Sequence, residues 1–150
     1  MIILNLIFAI FSTQNFYVNS ININNVRANY EVAVSDKKIC KLMLSELCKN
    51  ESPVLIAYYG AYQTIWANHV YNPIEKLKTF NKGKRNIDKA IKLSPNNVEI
   101  IFIRYSIQKN SPAFLSYKSN LKEDQKILKQ NFSNINSIDL KRMIENVLKD

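Results

Sequence analysis

Residues 52–95, SPVLIAYYGAYQTIWANHVYNPIEKLKTFNKGKRNIDKAIKLSP, decide the fold, because three of the chain's four prolines cut them into two stretches of helical length. Ser52-Pro53 and Asn72-Pro73 each put a side-chain acceptor ahead of a proline. That is the order of a helix start: the acceptor takes orphan backbone amides, and proline suits the first helical position. Ser94-Pro95 and Ser111-Pro112 continue the punctuation. Proline inside a helix would break it, so these pairs also mark where helices stop. Within the first stretch Leu55, Tyr58, Tyr59, Tyr62, Ile65, Trp66 and His69 recur at helical spacing, and within the second Ile74, Leu77, Phe80, Ile87, Ala90, Ile91 and Leu93. Asn72-Pro73-Ile74-Glu75 has the spacing of a capping box. Gly60 and Gly83 sit inside these helices, where glycine costs ~1 kcal/mol against alanine. Close approach of a neighbouring helix is the expected compensation.

Working outward, a helix is expected from Asn25, re-capped or kinked at Ser35-Asp36, and continuing through Ile39, Cys40, Leu42, Met43, Leu44, Leu47 and Cys48 to Asn50. Val98 to Ile107 is the most apolar run after the N-terminus. Helix is the expectation there, with a strand as the competing reading of a short β-branched run. A short turn or helix follows Pro112, and two lysine-studded amphipathic helices, near Leu121–Phe132 and Ser137–Leu148, close the chain. Two glycines in 150 residues fall far below the usual ~7%. Hairpins and phosphate-cradling loops favour positive φ, so the count weighs against all-β and dinucleotide-binding folds. The fold class is all-α, with five to six antiparallel helices.

Met1 to Phe11, MIILNLIFAIF, has the length of a signal-peptide apolar region and is too short to span a bilayer. Residues 1–20 are therefore read as a signal peptide and 21–150 as a single helical domain, exported to the periplasm or secreted. A buried N-terminal element is the alternative. The formal charge is +9, from 21 Lys+Arg against 12 Asp+Glu. Lysine is dispersed along every helix, which suits a solvated surface as well as an anionic partner. Cys40 and Cys48 are eight residues apart on one helical pattern, about 12 Å along the axis and too far for a disulfide, and both are expected as buried thiols. His69 is the single histidine, and HExxH, CxxC, GxGxxG and Walker-type motifs are absent. The chain reads as a non-enzyme without cofactor or metal, and no nucleic acid is expected.

Gly83, Ile87, Ala90 and Pro95, in GKRNIDKAIKLSP, occupy in order the small, large apolar, alanine and proline positions of a tetratricopeptide repeat's second helix. Tyr59-Gly60 and Tyr62 resemble the aromatic and small positions of its first helix, although Gly60 and Gly83 stand about eleven residues further apart than a regular 34-residue repeat allows. The chain thus resembles an irregular tetratricopeptide-like protein with one partial repeat. Its layout, a short leader before a helical core, resembles small exported bacterial proteins. The resemblance implies helical hairpins and an interaction module of the cell envelope for a protein or peptide partner. Tyr59, Tyr62, Trp66 and Arg104 are the expected contact residues. The alternative is docking on an anionic membrane or polymer through Lys82, Lys84, Arg85 and Lys89.

Overall fold

Side-chain caps set where most of the helices begin. In the computed structural model, which describes residues 21–149, Asn22 Oδ1 accepts from the Asn24 amide at 3.0 Å and opens α1 (Ile23–Val32). Asp36 accepts from the amides of Lys38 and Ile39 at 2.8 and 3.1 Å and opens α2 (Lys37–Leu47). Asn72 caps α4 (Pro73–Leu93) through the amides of Ile74 and Glu75, and Asn97 caps α5 (Val98–Asn110) through those of Glu99 and Ile100. α3 (Pro53–Asn68) starts at its proline without a side-chain cap, since Ser52 makes none. α6 (Leu121–Asn131) and α7 (Ile138–Lys149) complete the set, with single 3₁₀ turns at Ala113–Leu115 and Phe132–Asn134. The capping box at Asn72 forms only by half: the asparagine caps, while Glu75 pairs with Lys78 at 3.5 Å.

The described residues are all-α and contain no strand. Among them seven α-helices stand where five to six were expected. The first expected helix divides at Ala33–Asp36, because the Asp36 side chain competes for amides that a continuous helix would use. Pro95 and Pro112 open no α-helix; they follow the ends of α4 and α5. The expected signal peptide, residues 1–20, lies outside the described residues.

α3 and α4 form an antiparallel hairpin whose closest approach is glycine on glycine. A Cβ on Gly60 would stand 2.6 Å from the Gly83 carbonyl oxygen and 2.9 Å from the Ile87 amide nitrogen. A Cβ on Gly83 would meet the Gly60 carbonyl and, at 2.6 Å, Thr64 Cγ2. Backbone occupies both spaces, so only glycine fits. Lateral support comes from Asn86, which donates to Gln63 Oε1 at 2.7 Å.

α5 lies at the centre, buried on every residue from Glu99 to Gln108 except Arg104, and packs against α3, α4, α6 and α7. That settles the helix against the strand for the β-branched run: a helix apolar all round belongs in a core. The aromatic knot of Tyr30, Tyr58, Tyr62 and Phe102 joins α1, α3 and α5, with ring centroids 5.7–6.1 Å from Tyr30 in edge-on contacts. Cys40 is buried among these helices, its thiol reaching the Tyr62 carbonyl at 3.4 Å. Cys48 is exposed, against expectation, because α2 ends at Leu47 and the last buried turn is Cys40, Met43 and Leu47.

Candidate functional site

Two buried ion pairs fix α5 against its neighbours. Arg27 donates from Nε and Nη2 to the two oxygens of Glu99 at 2.8 and 2.7 Å, and Tyr58 donates to Glu99 Oε1 at 2.8 Å. The hydrogen bond and charge of Glu99 outweigh burial and hold the Arg27 guanidinium above its ordinary value. Burial, with the neighbouring Glu99 charge, pushes the Tyr58 phenol well up. Arg104 grips Asp124 in the same two-pronged way, Nε to Oδ2 at 2.8 Å and Nη2 to Oδ1 at 2.6 Å. Burial pulls the Arg104 guanidinium down, but Asp124 outweighs it and leaves the group raised.

These pairs dispose of one expected contact residue. Arg104 is spent on Asp124, which has no solvent exposure at all, and it is not free to grip a ligand. Tyr62 is corrected too. Its ring is fully buried and its hydroxyl donates to the Val26 carbonyl at 2.8 Å, because Tyr58, Tyr62 and Ile65 lie at i, i+4 and i+7 on the core face. Tyr59 and Trp66 are half-buried at the edge of the core. Trp66 packs against His69, centroids 5.9 Å apart, and carries the Lys37 ammonium 5.3 Å from its ring centre. The four expected residues do not converge on one site.

The single histidine and the buried cysteine are both held in structural contacts. His69 Nε2 lies 2.9 Å from the Ala33 carbonyl oxygen, tying α3 to the end of α1. Burial pushes the Cys40 thiol up to about 12, away from the thiolate a nucleophile needs. Among the described residues no group of His, Cys, Asp and Glu could hold a metal ion, and no helix is long and apolar enough to cross a membrane.

The feature the residues do build is a cavity of about 840 Å³ at the tip half of the α3/α4 hairpin, enclosed further by α1, α5, α7 and the 3₁₀ turn after Pro112. Small side chains make room for it: Thr64, Ala67, Ser106 and Ser111. Tyr30, Phe102 and Met143 form its buried apolar parts. Leu77 and Phe114 stand at its mouth, 48% and 81% exposed, with Val34 beside them. Ile74, a turn before Leu77 on α4, is 76% exposed. The sequence placed Ile74 and Leu77 on the packed face; the structure leaves both in solvent. The signal was there in the apolar series Ile74, Leu77, Phe80, but the sequence does not show that solvent faces Ile74 and the cavity mouth Leu77.

Four polar groups of the lining already donate within the protein. Tyr30 donates to Ser106 Oγ at 3.3 Å, Thr64 to the Ala61 carbonyl at 2.7 Å, Ser111 to Ile107 at 2.5 Å and Asn110 Nδ2 to Ser106 at 2.8 Å. At the mouth Glu31 is held by Arg142 at 3.1 Å and by Asn146 at 3.3 Å. Lys76, exposed on the wall contributed by α4, forms no ion pair among the described residues.

A second surface runs along the outside of α4. Lys78, Lys82, Arg85, Lys89 and Lys92 are all exposed and follow one another at alternating steps of four and three. They form a single stripe opposite the buried Phe80, Gly83, Ile87 and Ala90. Of the four cations expected to dock an anionic surface, Lys82, Arg85 and Lys89 lie on it; Lys84 turns aside and sits 5.0 Å from the ring centre of Tyr117.

No family model matches the chain, and no curated protein and no solved structure is found to be similar to it.

Proposed function

We propose that this chain is a non-catalytic helical binding module, tetratricopeptide-like in its central hairpin, that takes an apolar group of its partner into the cavity at the hairpin tip. The observation that carries the reading is the 840 Å³ cavity itself, with Leu77 and Phe114 exposed around its mouth. A volume of that size lies within the ~300–1,000 Å³ of small-molecule and side-chain sites. Exposed large apolar side chains clustered at one opening are the usual mark of an interaction site.

The tetratricopeptide-like part of the reading is supported by the glycine crossing, with Ile87 and Ala90 buried on the same face and Pro95 just past the end of α4. The roughly eleven residues by which Gly60 and Gly83 exceed a regular repeat amount to about 16 Å of helix. They lie in residues 61–82, the part of the hairpin that walls the cavity. The extra length and the binding element are thus the same piece of chain. On this reading the protein works in the cell envelope, after export, on a protein or peptide partner that presents the apolar group.

A specific observation favours a second reading, docking on an anionic membrane or polymer: the cationic stripe on α4. Such docking would weaken steeply as salt rises, whereas burial of an apolar group would not.

The cavity reading is tested with anilinonaphthalene sulfonate, whose fluorescence rises in apolar surroundings. The full chain should bind one dye, and Leu77→Glu should abolish the signal while circular dichroism stays unchanged. Equal dye binding by both proteins, or none by either, would overturn it.

A further inference from the structure

We infer that the cavity is a site for a long-chain fatty carboxylate, the hydrocarbon chain lying inside and the carboxylate at the mouth beside Lys76. The inference rests on the reading of the cavity as a binding site, and replaces the protein or peptide partner there with a lipid ligand.

Three observations lead there. First, the buried part of the interior offers an extended peptide few free donors. The hydroxyls of Tyr30, Thr64 and Ser111 and the amide of Asn110 already donate within the protein, and among the described residues no buried side-chain polar atom lacks a partner. A peptide backbone buried there would find few donors for its carbonyls; a hydrocarbon chain has none to satisfy. Second, the lining is mainly apolar, with Phe102 and Met143 buried and Leu77 and Phe114 exposed. Third, the charges at the mouth favour an anion. Lys76 has no ion-pair partner among the described residues, and Glu31 is matched by Arg142. The net charge of +9 adds a long-range pull of the same sign.

The test is titration calorimetry of the full chain with hexadecanoate, dodecanoate and 1-hexadecanol, each below its aggregation threshold. One hexadecanoate should bind per chain. Affinity should fall about tenfold for every two methylenes removed, the fold-change expected of chain burial. Lys76→Glu should weaken hexadecanoate about fivefold and leave hexadecanol unchanged. Leu77→Glu should abolish both. Phe114→Glu, at a still more exposed position, should do the same if Leu77→Glu disturbs the helix. No hexadecanoate binding, or binding indifferent to chain length and to both mouth variants, would overturn the inference. A dye that binds in one copy but is not displaced by hexadecanoate removes the fatty-acid ligand and keeps the cavity. Displacement instead by an amphipathic leucine–lysine peptide assigns the cavity to a protein partner and equally overturns the fatty acid.

Discussion

The two halves of the α3/α4 hairpin are built on opposite rules. At its base, Gly60 and Gly83 bring the helices so close that a methyl group on either would strike backbone. At its tip, the same two helices contribute Thr64, Ala67, Leu77 and Phe80 to the wall of an 840 Å³ cavity. Side-chain size alone does not explain the difference, since small residues occur in both halves. What differs is what the small residues face. At the base they face each other, and the backbones close the gap. At the tip Ala67 lines a space shared with Phe102 of α5 and Met143 of α7, and the gap stays open. A small residue therefore marks close packing only where its partner is small as well.

Disturbing the base should cost most. Glu99 is the acceptor on which Arg27 and Tyr58 converge, so Glu99→Ala leaves a half-buried guanidinium and a buried phenol without a partner. Removing one side of such a buried pair costs about 3–5 kcal/mol, read as a fall in the urea midpoint. The glycine crossing comes next. Gly83→Ala would improve intrinsic helix propensity by ~1 kcal/mol, yet its Cβ meets the Gly60 carbonyl and Thr64. The clash should win, with a net loss of about 3 kcal/mol in the same assay. A stabilised Gly83→Ala would mean that the helices separate freely at the base, and the contrast between the halves would fall with it.

The helix starts and the glycine crossing were legible in the sequence, and the cavity was not. Asn72 and Pro73 announced the start of α4 through local hydrogen bonding, and the two glycines announced close packing through their propensity cost. Both signals are local, and both arise from backbone chemistry. The cavity is not local. It depends on residues 30, 64, 77, 102, 114 and 143 being brought together by five helices and a 3₁₀ turn, and no spacing rule connects them. Arg104 misled for the same reason. Its place inside the apolar run Val98 to Ile107 is legible in the sequence, but its acceptor is not. The actual partner, Asp124, lies across α5 on α6, while Glu99 is taken by Arg27 from α1. Tyr62 looked like a contact residue because aromatic side chains suit interfaces and cores equally, and only the position of α1 decides between them.

Tyr30 stands on the boundary between the two halves, with its ring in the aromatic knot and its surface in the cavity wall. Burial pushes its phenol from an ordinary 10.0 up to about 12. The folded protein therefore holds the proton more tightly than the unfolded chain, and this contribution is complete below pH 10 and lost as pH rises toward 12. Two pH units correspond to a loss on the order of 2–3 kcal/mol. Cys40, whose thiol is raised from 9.0 to about 12, acts in the same direction. Urea unfolding of the wild type and Tyr30→Phe across this range separates the tyrosine's share, which the variant lacks. A cavity flooded with water would let the phenol titrate near 10, and the wild type and variant would then lose stability in parallel.

Leu77→Glu should have the smallest effect on folding, within about 0.5 kcal/mol, because a side chain already 48% exposed leaves little apolar surface to lose. The same substitution at Leu47, which is 1% exposed in the core, would place a charge among apolar neighbours and unfold the domain. What makes Leu77 informative is that its neighbour along the chain toward the base, Phe80, is buried. The change from packed to open therefore takes place within a single turn of α4. If Leu77→Glu keeps the thermal midpoint of the wild type but loses the dye, the tip is surface kept apolar without serving stability. If the midpoint falls by the amount expected of a core substitution, Leu77 is packed in solution, the mouth is closed, and the tip obeys the same rule as the base.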